Sequence, residues 1–184
     1  GGWNNKVGGG DWGYIGAGRD NTIEYADSGV ISGGRSNYMF APYAVIGGGN
    51  TNKILSNASN AVIAGGTLNT ITGASGSVIG GGSSNNSSAA ATSATIAGGA
   101  TNTVSGANAS IGGGSGNTTN IEDTVPTPGG IGATIAGGAG NRASGNYSAI
   151  GGGWNNLASG INSFVGSGGY INLGGGPPAV LQRN

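Results

Sequence analysis

The sequence predicts an all-β fold, a parallel β-solenoid of about 16 residues per coil with two short strands in each, and three observations carry that expectation. An isoleucine recurs at positions 15, 31, 46, 63, 79, 96, 111, 135 and 150, with Val165 as a tenth copy, at intervals of 15, 16 or 17 residues and one of 24. A glycine follows each isoleucine at the third position, as in Gly34, Gly66 and Gly153, and an asparagine follows three residues later, as in Asn37, Asn69 and Asn156. The chain of 184 residues holds 45 Gly, and its six Lys and Arg balance six Asp and Glu. Net charge therefore gives it no reason to stay open, and a steady period in so plain a chain marks a repeat architecture.

Within a coil the first strand is read from its alternation. The residue two before the isoleucine is always small (Gly13, Gly29, Ala44, Ala61, Ser77 and so on to Ser163), and the residue after it is Gly, Ala or Ser. The position just before it holds Tyr14, Val30, Val45, Val62 and Val78, then Thr95, Ser110, Thr134, Ala149 and Phe164. Side chains alternate across a strand, so the isoleucine row faces one way and the valine row the other. Both faces are apolar over the first half, the pattern of a strand covered on both sides. Paired glycines then allow the positive φ that a sharp corner needs. The asparagine bonds backbone groups, and stacked copies can form a ladder. A second inward row reads Val7, Ile23, Met39, Ile54, Ile71 and Val104, then Ala143 and Ala158. At about 4.8 Å per stacked strand, about eleven coils make a rod roughly 50 Å long.

Residues 1–173 form one repeat domain with decorated ends. Eight of the twelve charges lie in Gly1 to Lys53, together with Trp3, Trp12, Tyr14, Tyr25, Tyr38, Phe40 and Tyr43. No charge occurs from Ile54 to Ile121. The 24-residue interval holds an inserted loop, 118–130, stiffened by Pro126 and Pro128. Deleting Thr119 to Pro128 is expected to leave the fold intact. Residues 174–184 break the period and read as an exit or capping segment. The opening Gly1-Gly2-Trp3-Asn4-Asn5 starts inside a repeat, as in a segment cut or processed from a longer protein.

A core of about two sizeable inward residues per coil is thin for one chain, and the valine row needs a cover. Three identical chains packed side by side would supply it, which predicts a homotrimeric rod.

Ser77-Val78-Ile79-Gly80, Ser148-Ala149-Ile150-Gly151 and the returning Ala158-Ser159-Gly160 resemble the head repeats of trimeric autotransporter adhesins of the YadA type. Gly-Gly-Gly-x-x-Asn arrays are similar to parts of bacterial surface and phage tail-fibre proteins. The resemblance implies a left-handed β-roll, a trimer, an extracellular setting on a bacterial surface or virion fibre, and a host receptor or glycan as partner. The repeat here is longer than that family's and carries an extra asparagine.

Catalysis is not expected, because His and Cys are both absent and acid or base work would fall to a few carboxylates. Glu24 with Asp27, and Glu122 with Asp123, are the close acidic pairs, and both read as solvated turn charges. Gly16-Ala17-Gly18-Arg19 lacks the ending of a phosphate loop, and too few acids exist for calcium rolls. No metal or cofactor is expected. Nucleic acid is excluded as a partner by the lack of basic surplus, and no apolar run reaches membrane-spanning length. The candidate receptor-binding residues are those of the inserted loop: Thr119, Asn120, Glu122, Asp123, Thr124, Pro126 and Pro128. The expected function is a non-enzymatic adhesive module that displays this loop on a trimeric rod. The alternatives are an ice-binding solenoid, suggested by Thr22, Thr70, Thr95, Thr103 and Thr134, and a polysaccharide depolymerase fragment. Thermal hysteresis and polysaccharide cleavage discriminate these two.

Overall fold

A computed structural model describes residues 1–119 and 129–169 and the strand backbone at 172–173 and 180–181. Two parallel sheets run through it, each of eleven strands and each joining every second strand of the chain. The first sheet contains the isoleucine strands, from Tyr14–Ile15 through Val78–Ile79 to Val180–Leu181. The second runs from Lys6–Gly8 through Thr70–Ile71 to Asn172–Leu173. This is the parallel solenoid expected, with two short strands in each coil.

Register is strict because each strand is two or three residues long and presents one inward side chain. Ile63 pairs with Ile46 and Ile79, and Val62 with Val45 and Val78. A slip of one residue would put the isoleucines outside. Ile31, Ile46, Ile63, Ile79, Ile96, Ile111, Ile135 and Ile150 are all buried, as are Ile23, Met39, Ile54 and Ile71 facing them from the second sheet. Burying one such side chain contributes about 1.5–3 kcal/mol, so the two files hold the coils on one axis. From the second coil onward the small residue two before the isoleucine is also buried, as at Ala44, Ala61 and Ala94. It gives the inner corner room to turn.

The second file is less uniform than the first. Ser87 sits between Ile71 and Val104, and Thr119 follows Val104. Both are buried, and neither side-chain oxygen has a hydrogen-bond partner among the described residues. Ser87→Val removes an unpaired buried hydroxyl and restores the apolar file. It is expected to raise the melting temperature by several degrees, equivalent to about 1 kcal/mol. A lower melting temperature would show that this layer has no room for the added methyl.

The asparagines form the ladder that their spacing suggested. Each amide N–H from Asn21 to Asn156 donates to the side-chain oxygen of the asparagine one coil before, at 3.0 Å. Each side-chain nitrogen also donates to backbone carbonyls of its own and of the next coil, as Asn85 does to Gly81 and Gly99, both at 2.9 Å. The asparagines are buried, so these bonds satisfy groups that water cannot reach. The ladder crosses the long interval unbroken, with Asn141 donating to Asn117.

A two-coil period is superimposed on the single-coil one. The residue after the isoleucine alternates, Gly47, Ala64, Gly80, Ala97, Gly112, Ala136 and Gly151. In the glycine coils the next residue has φ near 150°, at Gly48, Gly81, Gly113 and Gly152. A Cβ on Gly80 would land on the carbonyl oxygen of Ala97 in the next coil. The larger and the smaller residue therefore take turns along this column.

The sheets also extend beyond the expected domain boundary. Val180–Leu181 pairs with Phe164–Val165, so the stretch expected to exit or cap contributes a last strand to the first sheet.

Candidate functional site

The two corners of each coil behave differently. From the inward residue of the first strand to that of the second there are always eight residues, as from Ile15 to Ile23, Ile79 to Ser87 and Ile150 to Ala158. The return from the second strand to the next first strand takes seven, eight or nine residues, and once sixteen, from Thr119 to Ile135. The glycine and asparagine corner keeps one length because its asparagine and its glycine carbonyls are bonded from coil to coil. All length variation therefore collects on the opposite edge of the rod.

The long interval resolves into a regular corner plus an insertion. Thr118–Thr119 is a strand of the second sheet, paired with Thr103–Val104 and, at Thr118, with Arg142. Beyond the insertion, Gly132 donates to Ala107, and Ala133 donates to Gly130 just as Ala109 does to Gly106. The extra residues are thus 120–128, and the expected bounds of 118–130 were too wide. Thr119 belongs to the buried core, not to a receptor-binding loop, since its side chain takes the inward position of its strand. Asn120, Glu122, Asp123, Thr124, Pro126 and Pro128 lie outside the described residues. Removing 120–128 places Ile135 seven positions after Thr119, the interval from Val104 to Ile111. This deletion is expected to shift the melting temperature by no more than a few degrees. Taking Thr119 as well shortens the corner below any seen and removes a core residue, and a cooperative melt should then be lost or lowered by ten degrees or more.

The same edge carries exposed rings. Trp12 is 85% exposed, Tyr25 70%, Tyr43 59% and Tyr147 63%. Trp12, Tyr43 and Tyr147 share one column, three residues before the isoleucine, and all are left-handed, with φ of 66°, 57° and 57°. Other coils place Ser28, Asn60, Gly76, Asn108 and Gly132 there. Those are residues that turns favour, whereas a bulky side chain at positive φ is uncommon. Glycines make floors for two rings: a Cβ on Gly9 would stand 2.7 Å from the ring of Tyr25, and one on Gly132 2.8 Å from that of Tyr147. Tyr25 also meets Phe40 edge to face, at 5.6 Å and 62°. Beside these rings lie two exposed carboxylates, Asp11 and Asp27, the backbone N–H of Asp11 donating to Asp27 Oδ1 at 2.9 Å.

The remaining charges lie elsewhere. On the asparagine corner, Arg19 covers the Trp3 ring at 5.0 Å from its centroid and bonds Asp20 at 2.9 Å. The Asp20 carboxyl is held below its ordinary range first by the Asn4 amide and then by Arg19. On the outer face of the second sheet, Lys6 bonds Glu24 at 2.9 Å and the Tyr38 hydroxyl donates to its other oxygen at 3.1 Å. Lys6 first, then Tyr38, lowers the Glu24 pKa. A depressed carboxyl contributes stability above its unfolded pKa and loses it as pH falls through the folded one. The contribution is small for so exposed a pair.

The acidic side chains are engaged separately, Glu24 with Lys6, Asp20 with Asn4 and Arg19, and Asp27 with the Asp11 N–H. Among the described residues no cluster of three metal-ligating side chains occurs, and no helix is long and apolar enough to cross a membrane. The threonines fall on different faces. Thr22, Thr70 and Thr103 point outward from the second sheet in a column broken by Tyr38, Lys53 and Asn86, while Thr95 and Thr134 belong to the first. The column that Trp12, Tyr43 and Tyr147 share was not read from the sequence because these rings are scattered along it. The Ser, Asn and Gly that fill the rest of that column were the available signal. No protein-family model and no curated protein matches this chain.

Proposed function

We propose that this chain is a non-enzymatic structural and attachment module, a homotrimeric rod of an extracellular adhesin or virion tail fibre that presents its variable edge to a host-surface receptor or glycan. The observation that supports this reading most is the division of labour between the corners. One is held at constant length by the asparagine ladder, and the other collects the insertion and the exposed rings of Trp12, Tyr25, Tyr43 and Tyr147. A rigid axis with one free edge suits display.

Side-by-side packing is supported by the outer face of the first sheet. Val30, Val45, Val62 and Val78 are only half-buried in the single chain, and the neighbouring column of Gly47, Ala64, Gly80 and Ala97 offers nothing larger than a methyl. No charge interrupts either column, so sister chains could approach closely there. Native mass measurement at micromolar concentration is expected to give three times 17.3 kDa, and a single-chain mass would overturn the trimer. Beads coated with the chain are expected to attach to host-cell surfaces and to lose attachment when the edge residues are replaced with the ladder intact. Equal attachment by that variant would overturn display from this edge.

A further inference from the structure

The rings on the variable edge are not spread evenly along the rod. Within the first three coils it presents Trp12, Tyr25 and Tyr43, and then no ring among the described residues until Tyr147. Trp12 and Tyr43 occupy one column two coils apart, about 10 Å at the usual strand separation, with the small Ser28 between them. Tyr25 is fixed beside that column by the Gly9 floor and by Phe40. The carboxylates of Asp11 and Asp27 complete the patch. The cations of these coils lie elsewhere: Lys6 is engaged by Glu24, Arg19 covers Trp3 on the opposite corner, and Arg35 is bridged to Arg19 there.

We infer that the Trp12–Tyr25–Tyr43 patch binds an extended neutral glycan, which deepens the attachment reading given above and rests on it. Flat rings with an apolar face and a polar rim suit the C–H face of a pyranose. Rings spaced over about 10 Å match roughly two sugar units of a linear chain. Asp11 and Asp27 accept hydrogen bonds from sugar hydroxyls, and the same carboxylates repel uronic or sialic acids. The backbone supports the assignment independently. Trp12 and Tyr43, like Tyr147, hold left-handed φ where seven other coils carry Ser, Asn or Gly, so the chain sustains bulky side chains at positions that backbone preference alone would give to small ones.

The test titrates cellohexaose and chitohexaose as neutral probes and hexagalacturonate as the anionic one, at low salt, by calorimetry and tryptophan fluorescence. The variant is Trp12→Ser with Tyr43→Asn, since Ser28 and Asn60 already occupy that column and the fold should persist. Saturable binding of a neutral hexasaccharide is expected, at least tenfold weaker in the double variant. Hexagalacturonate should bind at least tenfold more weakly than the neutral probe, and Asp11→Asn with Asp27→Asn should narrow that gap. Failure of both neutral probes to bind, unchanged binding by the double variant, or equal binding of the anionic probe each overturns the inference. Attachment of whole rods separates it from the broader reading. If the double variant attaches normally and deletion of 120–128 abolishes attachment, this patch is refuted and display stands. If rods attach to no surface, display itself fails.

Discussion

Gly66→Val is expected to abolish folding, while Gly65→Ala, one residue away in the same corner, is expected to be nearly silent. Gly66 has φ of +90°, and a Cβ there would land on the carbonyl oxygen of Gly82 and lie 2.6 Å from the Asn69 side-chain nitrogen and 2.9 Å from the Gly82 nitrogen. Those atoms are backbone and ladder, so they cannot swing away as the end of a flexible side chain could. Left-handed backbone costs a β-branched residue about 1–2 kcal/mol, and overpacking commonly adds about 1–3 kcal/mol. Because the clash breaks the ladder as well, the sum reaches about 4 kcal/mol or more, a large part of a domain's stability. At Gly65 a Cβ would meet nothing within 4 Å. Circular dichroism and urea titration of the two variants check the contrast. Comparable melts for both would mean that the corner is not held by stacking.

Asn85→Ala should cost several kcal/mol, and Asn85→Asp more at neutral pH. The alanine variant leaves the Asn102 N–H and the Gly81 carbonyl without their partner, and takes one of two donors from the Gly99 carbonyl, which keeps the Ser83 N–H. Each buried group left unpaired costs about 1–3 kcal/mol. The aspartate keeps an acceptor for Asn102 but turns a charge toward two carbonyl oxygens, in a position that is fully buried. Its folded pKa is therefore raised above the ordinary carboxylate value of about 3.9. The penalty is fully present above that raised pKa and shrinks as pH falls through it. Urea denaturation at pH 7 and pH 4 should show the aspartate variant gaining stability relative to the alanine variant on acidification. A gap that does not change with pH would place the side chain in solvent and refute the ladder.

The repeat was legible because its strongest signals are local. An isoleucine needs a small neighbour on either side to pack inward from a two-residue strand, and Gly followed by Asn at a fixed distance is the chemistry of one particular corner. The limits of the insertion were not legible to the same degree. Thr118 and Thr119 read as polar loop residues, yet pairing with Thr103–Val104 and Arg142 makes them strand, and Thr119 fills a core position that Ser87 also fills. Polar residues in an inward row escape a search for apolar periodicity. Similarly, residues 174–184 lack the motif but still contribute Val180–Leu181 to the first sheet, since parallel pairing needs backbone and register more than a signature.

By itself the sequence determined the coil: its length, its two inward rows, its glycine corner and its asparagine file, all of which depend on residues within one or two turns of one another. Only the tertiary structure decided where the insertion begins and that Trp12 and Tyr43 stand in one column beside Asp11 and Asp27. The reason is geometric. Stacking converts positions 15 to 17 residues apart into neighbours, and the return corner absorbs differences of one or two residues while the strands stay in register, so which residues stand together is fixed only once the strands are paired.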